Sequence, residues 1–160
     1  MRKPYYRNDN YVVHNSLGYL IRRSRNLISQ EVERLLSETS GGQGITLPQW
    51  IVLMCLRDQV ARTPAELCQN ICYDSGAFTR LIDQMEKRDL VRRSRSTRDR
   101  RVIELHLTEQ GLKTIEMTMG TVVGFFNGLL INFSEEEADT LIKLLSRLVS
   151  NLTENRKRGS

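Results

Sequence analysis

No apolar run in this 160-residue chain reaches the length needed to cross a membrane. The first ten residues are polar and aromatic and hold no signal-peptide apolar core. Cysteine is scarce: Cys55, Cys68 and Cys72 are odd in number and sit within apolar segments, which argues against a disulfide framework. These absences point to a soluble cytoplasmic protein in a reducing compartment, with no membrane partner. Catalytic signatures are missing as well. There is no phosphate-cradling glycine loop and no His-Glu-x-x-His motif. His14 and His106, the two histidines, lie far apart, so a Cys–His catalytic pair has no sequence support. No His or acidic cluster accompanies Cys68 and Cys72, which leaves no metal site to expect and no cofactor. The chain does not read as an enzyme.

What the chain does have is positive charge. It carries 24 Lys and Arg against 19 Asp and Glu, a formal net charge of +5 and a pI of about 9.4. A polyanionic partner is one reading of that excess, and a solvated basic face is the other. The distribution is more informative. Between Lys87 and Arg101 lie Lys87, Arg88, Arg92, Arg93, Arg95, Arg98, Arg100 and Arg101, opposed only by Asp89 and Asp99, a local charge of +6. The rest of the chain is close to neutral.

Neither a repeat nor a low-complexity linker interrupts the sequence, so a single unit, 1–160, is expected. Val13, Leu17, Leu20, Leu27, Ile28, Val32 and Leu35 recur at helical spacing and predict a first helix from about Val12 to Glu38, ended by the glycine-rich stretch Ser40–Gly44. Thr46 with Gln49 reads as a capping box opening a helix through Trp50, Leu53 and Leu56. Thr63-Pro64-Ala65-Glu66 is a stronger start, with a cap, a proline at the first helical position and a reciprocal Glu. That short helix ends near Ile71. Asp74 can cap the next, whose Phe78, Leu81, Ile82 and Met85 fall at i, i+3, i+4 and i+7 and define one buried face.

After Leu90 the apolar period changes to two. Val91–Ser94 and the alternating Val102–Leu107 predict two strands joined by the Arg-rich turn 95–100, a hairpin with a basic tip. Two helices close the chain. Leu112, Ile115, Met119, Val122, Phe126, Leu129 and Phe133 mark the first. A Ser134–Glu137 capping box opens the second, along Leu141, Ile142, Leu145, Leu148, Val149 and Leu152. The expected fold class is mainly α (α+β): a winged helix-turn-helix lobe over 46–108, flanked by long dimerisation helices at 12–39 and 109–155.

A short helix, a tight turn, a longer helix and a basic hairpin suit duplex DNA, with the second helix entering the major groove. If Phe78, Leu81, Ile82 and Met85 face the core, Gly76, Arg80, Asp83 and Lys87 lie opposite, flanked by Ala77, Thr79 and Gln84. Ser75, Gly76 and Ala77 are small enough for close approach, and free N–H groups there can receive a phosphate. Arg80 has the fork that matches guanine O6 and N7, although a structural ion pair is its other reading. An Arg at the hairpin tip suits a narrow minor groove. Asp99 would repel phosphate, so its expected role is to brace Arg100 or Arg101 by a paired hydrogen bond. His106, in the second strand, reads as a surface or DNA-near residue.

Asp74–Arg93 (DSGAFTRLIDQMEKRDLVRR) resembles the recognition helix of MarR-family regulators. Asp99-Arg100-Arg101 followed by Leu107-Thr108-Glu109-Gln110-Gly111 resembles that family's wing and wing exit. The resemblance runs from the first helix to the last. It implies a homodimeric repressor or activator, with repression the expected sense, on a pseudo-palindromic operator in double-stranded DNA. By position it implies helix contacts from Ser75, Gly76, Ala77, Thr79 and Arg80. Arg95, Arg98 and Arg100 line the wing, with Arg101 as the wing arginine and Asp99 its partner. Two departures stand out. Asp89 replaces the usual glycine after the helix, where Asp tolerates the left-handed conformation better than most residues. The wing is unusually rich in Arg, which raises non-specific affinity and its salt dependence.

The terminal helices carry more apolar surface than a lone winged helix needs, so they are expected to interlock between two subunits; a monomeric helical bundle is the alternative. Many members of the family answer to small aromatic or phenolic anions. The resemblance makes Tyr19, Arg22 and Arg23 on the first helix, and Trp50 and Met54 on the second, the candidates for such an effector. Trp50 as core and the Arg pair as solvated charge are the competing readings. Oxidant-sensing members usually carry a reactive Cys in the first helix, where this chain has none, so the three cysteines read as structural. A thiol-based redox-sensing regulator and a winged-helix adaptor for an acidic protein remain the alternative functions.

Overall fold

The computed structural model describes residues 4–39 and 44–158, so Ser40–Gln43 of the glycine-rich break lie outside the described residues. Val13–Asn15 form a 3-10 turn, and α1 then spans Leu17–Thr39. The helix starts later than its apolar spacing suggests because Ser16 takes the N-cap. Its Oγ accepts from Tyr19 N–H at 3.3 Å and donates to the Val13 carbonyl at 2.7 Å. The Tyr6 hydroxyl accepts the Leu17 N–H at 2.8 Å, covering another free donor of the first turn.

There follow α2 (Leu47–Arg57), α3 (Pro64–Asn70), α4 (Ser75–Lys87), β1 (Val91–Arg95), β2 (Ile103–Leu107), α5 (Glu109–Leu129) and α6 (Glu135–Arg158). The three predicted capping boxes form. Thr46 and Gln49 open α2, Thr63 and Glu66 open α3, and Ser134 and Glu137 open α6, each pair exchanging side-chain and backbone hydrogen bonds. The Glu66 carboxylate also accepts the Arg62 N–H; held by these backbone donors, Thr63 foremost, it titrates below the ordinary carboxylate range.

Helices α2, α3 and α4 end alike. Gln59, Cys72 and Asp89 adopt left-handed φ values of 56°, 51° and 52°. The N–H of the next residue then reaches back to the helix, Val60 to Cys55, Tyr73 to Cys68 and Leu90 to Met85. The left-handed Asp89 matches its place in the family pattern. Cys68 lies within α3 and Cys72 in the turn beyond it, past the expected helix end near Ile71.

β1 and β2 pair antiparallel, Val91 opposite Leu107 and Arg93 opposite Leu105. Both are a residue off the expected bounds, because Arg95 still pairs with Ile103 while Val102 already belongs to the turn. Leu105 N–H also donates to the Arg62 carbonyl at 2.8 Å, which ties the α2–α3 connection to the hairpin. Around this frame the core closes. Phe78, Leu81, Ile82 and Met85 of α4 are buried together with Val52 and Leu53, Leu67, Leu90, Val91, Leu105 and Ile115. Val32 and Leu36 bring α1 into the same core.

The chain divides into two compact units, 1–122 and 123–160. The first holds all of the core just described. In the second, none of the described side chains is buried, and Ile131, Ile142 and Val149 are 80%, 58% and 62% exposed. No described helix is long and apolar enough to cross a membrane.

Candidate nucleic-acid interface

Helix α4 enters the site by its first turn. Asp74 caps it, Oδ1 accepting the Ala77 N–H at 2.9 Å, because a short acceptor one residue before a helix satisfies an otherwise orphaned donor. This changes the expected anion site. One of the N–H groups offered to phosphate is already taken, and by a carboxylate. Ser75, Gly76, Thr79 and Arg80 are exposed and Ala77 is half-buried. The Thr79 hydroxyl donates to the Ser75 carbonyl at 3.1 Å. Arg80 makes no ion pair among the described residues, so its guanidinium is available to a ligand.

The wing is a turn built by Asp99. Its carboxylate Oδ1 accepts the Arg101 N–H at 2.9 Å, and its carbonyl accepts the Val102 N–H at 2.9 Å. The side-chain bond is an Asx-turn, and the backbone bond closes a four-residue turn with Arg100 and Arg101 at the two corners. The expected brace therefore acts on the backbone of Arg101 and not on its guanidinium. A short acidic side chain reaches a peptide N–H two residues on more readily than it reaches a long side chain's tip. Buried Ser96 closes the base, its N–H donating to the Val102 carbonyl at 2.9 Å and its hydroxyl accepting the Arg98 N–H at 3.3 Å.

The cationic run does not act as one block. Arg88 is half-buried and donates to the Gly44 carbonyl and to Gln49 Oε1, at 3.4 and 3.2 Å. Arg93 donates to Asp83 at 2.7 Å and to Glu86 at 2.6 Å. Asp83, which wheel geometry places on the outer face of α4, is thus half-buried and turned to the hairpin. Lys87, Arg92, Arg95, Arg98, Arg100 and Arg101 are exposed and form no ion pair among the described residues. His106 is half-buried, its Nε2 2.9 Å from Ser94 Oγ.

The effector candidates are dispersed. Tyr19 and Arg23 bond each other along α1, Arg23 donating to the phenol oxygen at 3.1 Å. Arg22 is exposed. On α2, Met54 is half-buried, and half-buried Trp50 donates its indole N–H to Thr118 of α5 at 3.0 Å. No hydrogen bond joins the two sets among the described residues. A cavity of about 240 Å3 lies elsewhere, against Arg57, Arg62, Leu105 and His106. As for the thiols, burial and then Asp58 push Cys55 above its ordinary range, away from the reactive thiolate. Cys68 donates weakly to the Tyr73 carbonyl at 3.1 Å, and Cys72 is exposed.

Two positions to which the sequence assigns no role of their own shape the site. Arg93 is one. The other is Thr108, whose hydroxyl bonds the Asp89 carbonyl and accepts the Gly111 N–H at 3.0 Å. This anchors the start of α5 on the turn that ends α4. Gly111 permits that approach, since a Cβ there would collide with the Leu90 carbonyl oxygen.

A MarR family model matches residues 45–103, from the segment before α2 to the first residue of β2. The HTH-type transcriptional regulator SarZ of Staphylococcus aureus (strain MRSA252) is 31% identical over 128 residues, covering 79% of this chain and 84% of that protein. Among solved structures, MarR from E. coli in its reduced form superposes with a TM-score of 0.62 at 30% identity, covering 87% of this chain and 98% of that one. S. aureus MepR in complex with DNA superposes with a TM-score of 0.72 at 22% identity, covering 86% and 96%, a likeness of fold.

Proposed function

The chain belongs to the MarR family of DNA-binding transcription regulators, and on that premise we propose that it binds a pseudo-palindromic operator as a homodimer, α4 in the major groove and the wing in the minor groove. The observation that carries the site assignment is the set of exposed cations on both readers that form no ion pair among the described residues. Arg80 lies on the exposed face of α4, and Arg100 and Arg101 occupy the corners of a turn whose backbone Asp99 fixes. A fixed turn presents these guanidinium groups with little entropy left to lose on binding.

The dimer is supported by the second unit. Its described side chains leave Phe126, Leu129, Ile131, Phe133, Ile142, Leu145, Val149 and Leu152 exposed, and large apolar side chains left in water in such number are the mark of an interaction surface. Two-fold pairing through these helices would set the α4 pair one duplex turn apart, about 34–36 Å. For an effector, Arg22 and Arg23 on α1 offer forks suited to a small aromatic or phenolic carboxylate, and Trp50, its N–H already spent on Thr118, offers a fixed apolar wall.

The site assignment is tested on a duplex enriched from a randomised library. Arg80→Ala and Arg101→Ala should each weaken specific binding by about 5–150-fold, the equivalent of about 1–3 kcal/mol per lost contact, with the dimer mass unchanged. Unaltered affinity in both variants would overturn the assignment.

A further inference from the structure

Antiparallel pairing places directly opposed residues on one face of the hairpin. Val91, Arg93 and Arg95 therefore share the face of their partners Leu107, Leu105 and Ile103, the face on which Val91 and Leu105 are buried against the core. Arg93 is thus an arginine on the inward side of a strand, between a buried valine and a basic tip. A charge so placed needs partners, and α4 provides two. Asp83 and Glu86, at i and i+3, project from the same side of the helix. Asp83 Oδ1 accepts from Arg93 Nη2 at 2.7 Å and Glu86 Oε2 accepts from Nη1 at 2.6 Å, while Glu86 Oε1 accepts the Arg93 backbone N–H at 3.1 Å. Glu86 therefore grips both the main chain and the side chain of one strand residue. The guanidinium side chain is one third exposed and holds its proton more tightly than an isolated arginine, chiefly through Asp83.

We propose that Arg93 is a positioning residue for operator recognition: it clamps the wing to the recognition helix through Asp83 and Glu86, so that the two readers meet the duplex as one body. The inference rests on the reading of α4 and the wing as the DNA-contacting elements. Geometry gives the reason a clamp is needed. The helix and the hairpin tip must meet two different grooves in register; buried Val91 and Leu105 and the Leu105 N–H bond to the Arg62 carbonyl hold the hairpin on the core, but none of these ties it to the acidic side of α4. Arg93, two residues further along β1, ties the strand to the middle and last turns of α4. An isolated exposed ion pair would contribute little. Here a planar fork bridges two carboxylates while one of them also holds the strand's backbone, which restricts angle as well as distance. Arg93 is thereby withdrawn from the cations that meet phosphate.

The test compares affinity for the enriched duplex with affinity for an unrelated duplex of equal length, at fixed salt. Loss of a phosphate contact weakens binding about uniformly across sequences, so the ratio of the two affinities reports positioning. The expected result for Arg93→Ala is a fall in that ratio of about tenfold. Asp83→Asn with Glu86→Gln should lower the ratio to the same extent, although removing two negative charges beside DNA strengthens non-specific binding. Combining all three changes should produce no further fall. An unchanged ratio in either variant, or losses that multiply in the combination, would overturn the proposal. If the unaltered protein itself shows no preference between the duplexes, the assignment of the readers fails instead, a distinct outcome. Circular dichroism and thermal unfolding of each variant separate a lost clamp from a lost fold, and the carboxamide variant keeps the question open to measurement should Arg93→Ala fail to fold.

Discussion

Between Ile45 and Val122 the chain buries residues from every helix and strand it forms, including Ile45, Leu53, Leu67, Phe78, Ile82, Val91, Leu105 and Ile115. From Val123 onward the described side chains bury none. Local signals do not account for the contrast. The last helix has a capping box as complete as those of α2 and α3, and its leucines recur at the same helical spacing. Helix formation and helix burial are therefore separate properties. The first is decided by neighbours along the chain, the second by what covers the apolar face. The winged-helix lobe covers its own faces. From Val123 onward the apolar faces of the closing helices stay exposed, and under the reading proposed above a second copy would cover them.

Four substitutions can break or sharpen this comparison. The largest effect is expected inside the lobe, where Phe78→Ala should cost about 3–5 kcal/mol in denaturant unfolding, because a buried ring is exchanged for a cavity. Leu145→Asp, on α6, should instead raise the dimer dissociation constant by at least about 100-fold, or about 2.7 kcal/mol, in sedimentation equilibrium. Its far-ultraviolet circular dichroism at high protein concentration should stay helical. Equal losses of secondary structure in these two variants would erase the distinction between a self-covered lobe and a partner-covered tail. Gly111→Ala tests how the start of α5 sits on the end of α4, within the first unit. A Cβ driven against the Leu90 carbonyl should cost about 1–3 kcal/mol in thermal unfolding, and a neutral result would mean that α5 is not held on the end of α4. Smallest, and of opposite sign, Cys72→Gly should add about 0.5 kcal/mol of stability by relieving a left-handed non-glycine residue. It should leave DNA affinity and its response to peroxide unchanged, and a lost oxidant response would revive the redox-sensing alternative.

The same division explains what could be read in advance. Caps at Thr46, Thr63, Asp74 and Ser134 involve residues three apart, so residue type and spacing suffice. The buried stripe of α4 follows from its period. Where a partner is distant, spacing is silent: Trp50 finds Thr118, Leu17 finds the Tyr6 hydroxyl, and Arg62 pairs with Leu105. Left-handed Asp89 was legible from its place in a family pattern, whereas nothing about Gln59 or Cys72 announces a positive φ. In the site, the exposed α4 face and the basic tip were legible as sets of residues. The division of the arginines was not, because a run of like charges does not say which members meet acids. That required the register of the hairpin, which turns Arg93 inward and leaves Arg92 out. Asp99 was legible as a constraint, but its target was not, since an Asx-turn and an arginine pair draw on the same carboxylate.

The most direct test of the account is selection of bound duplexes from a randomised DNA library at fixed, near-physiological salt. The account predicts enrichment of a pseudo-palindrome whose half-sites are centred one helical turn, about 10–10.5 base pairs, apart. Binding that enriches no sequence and merely fades as salt rises would contradict it, leaving the basic wing as an electrostatic patch.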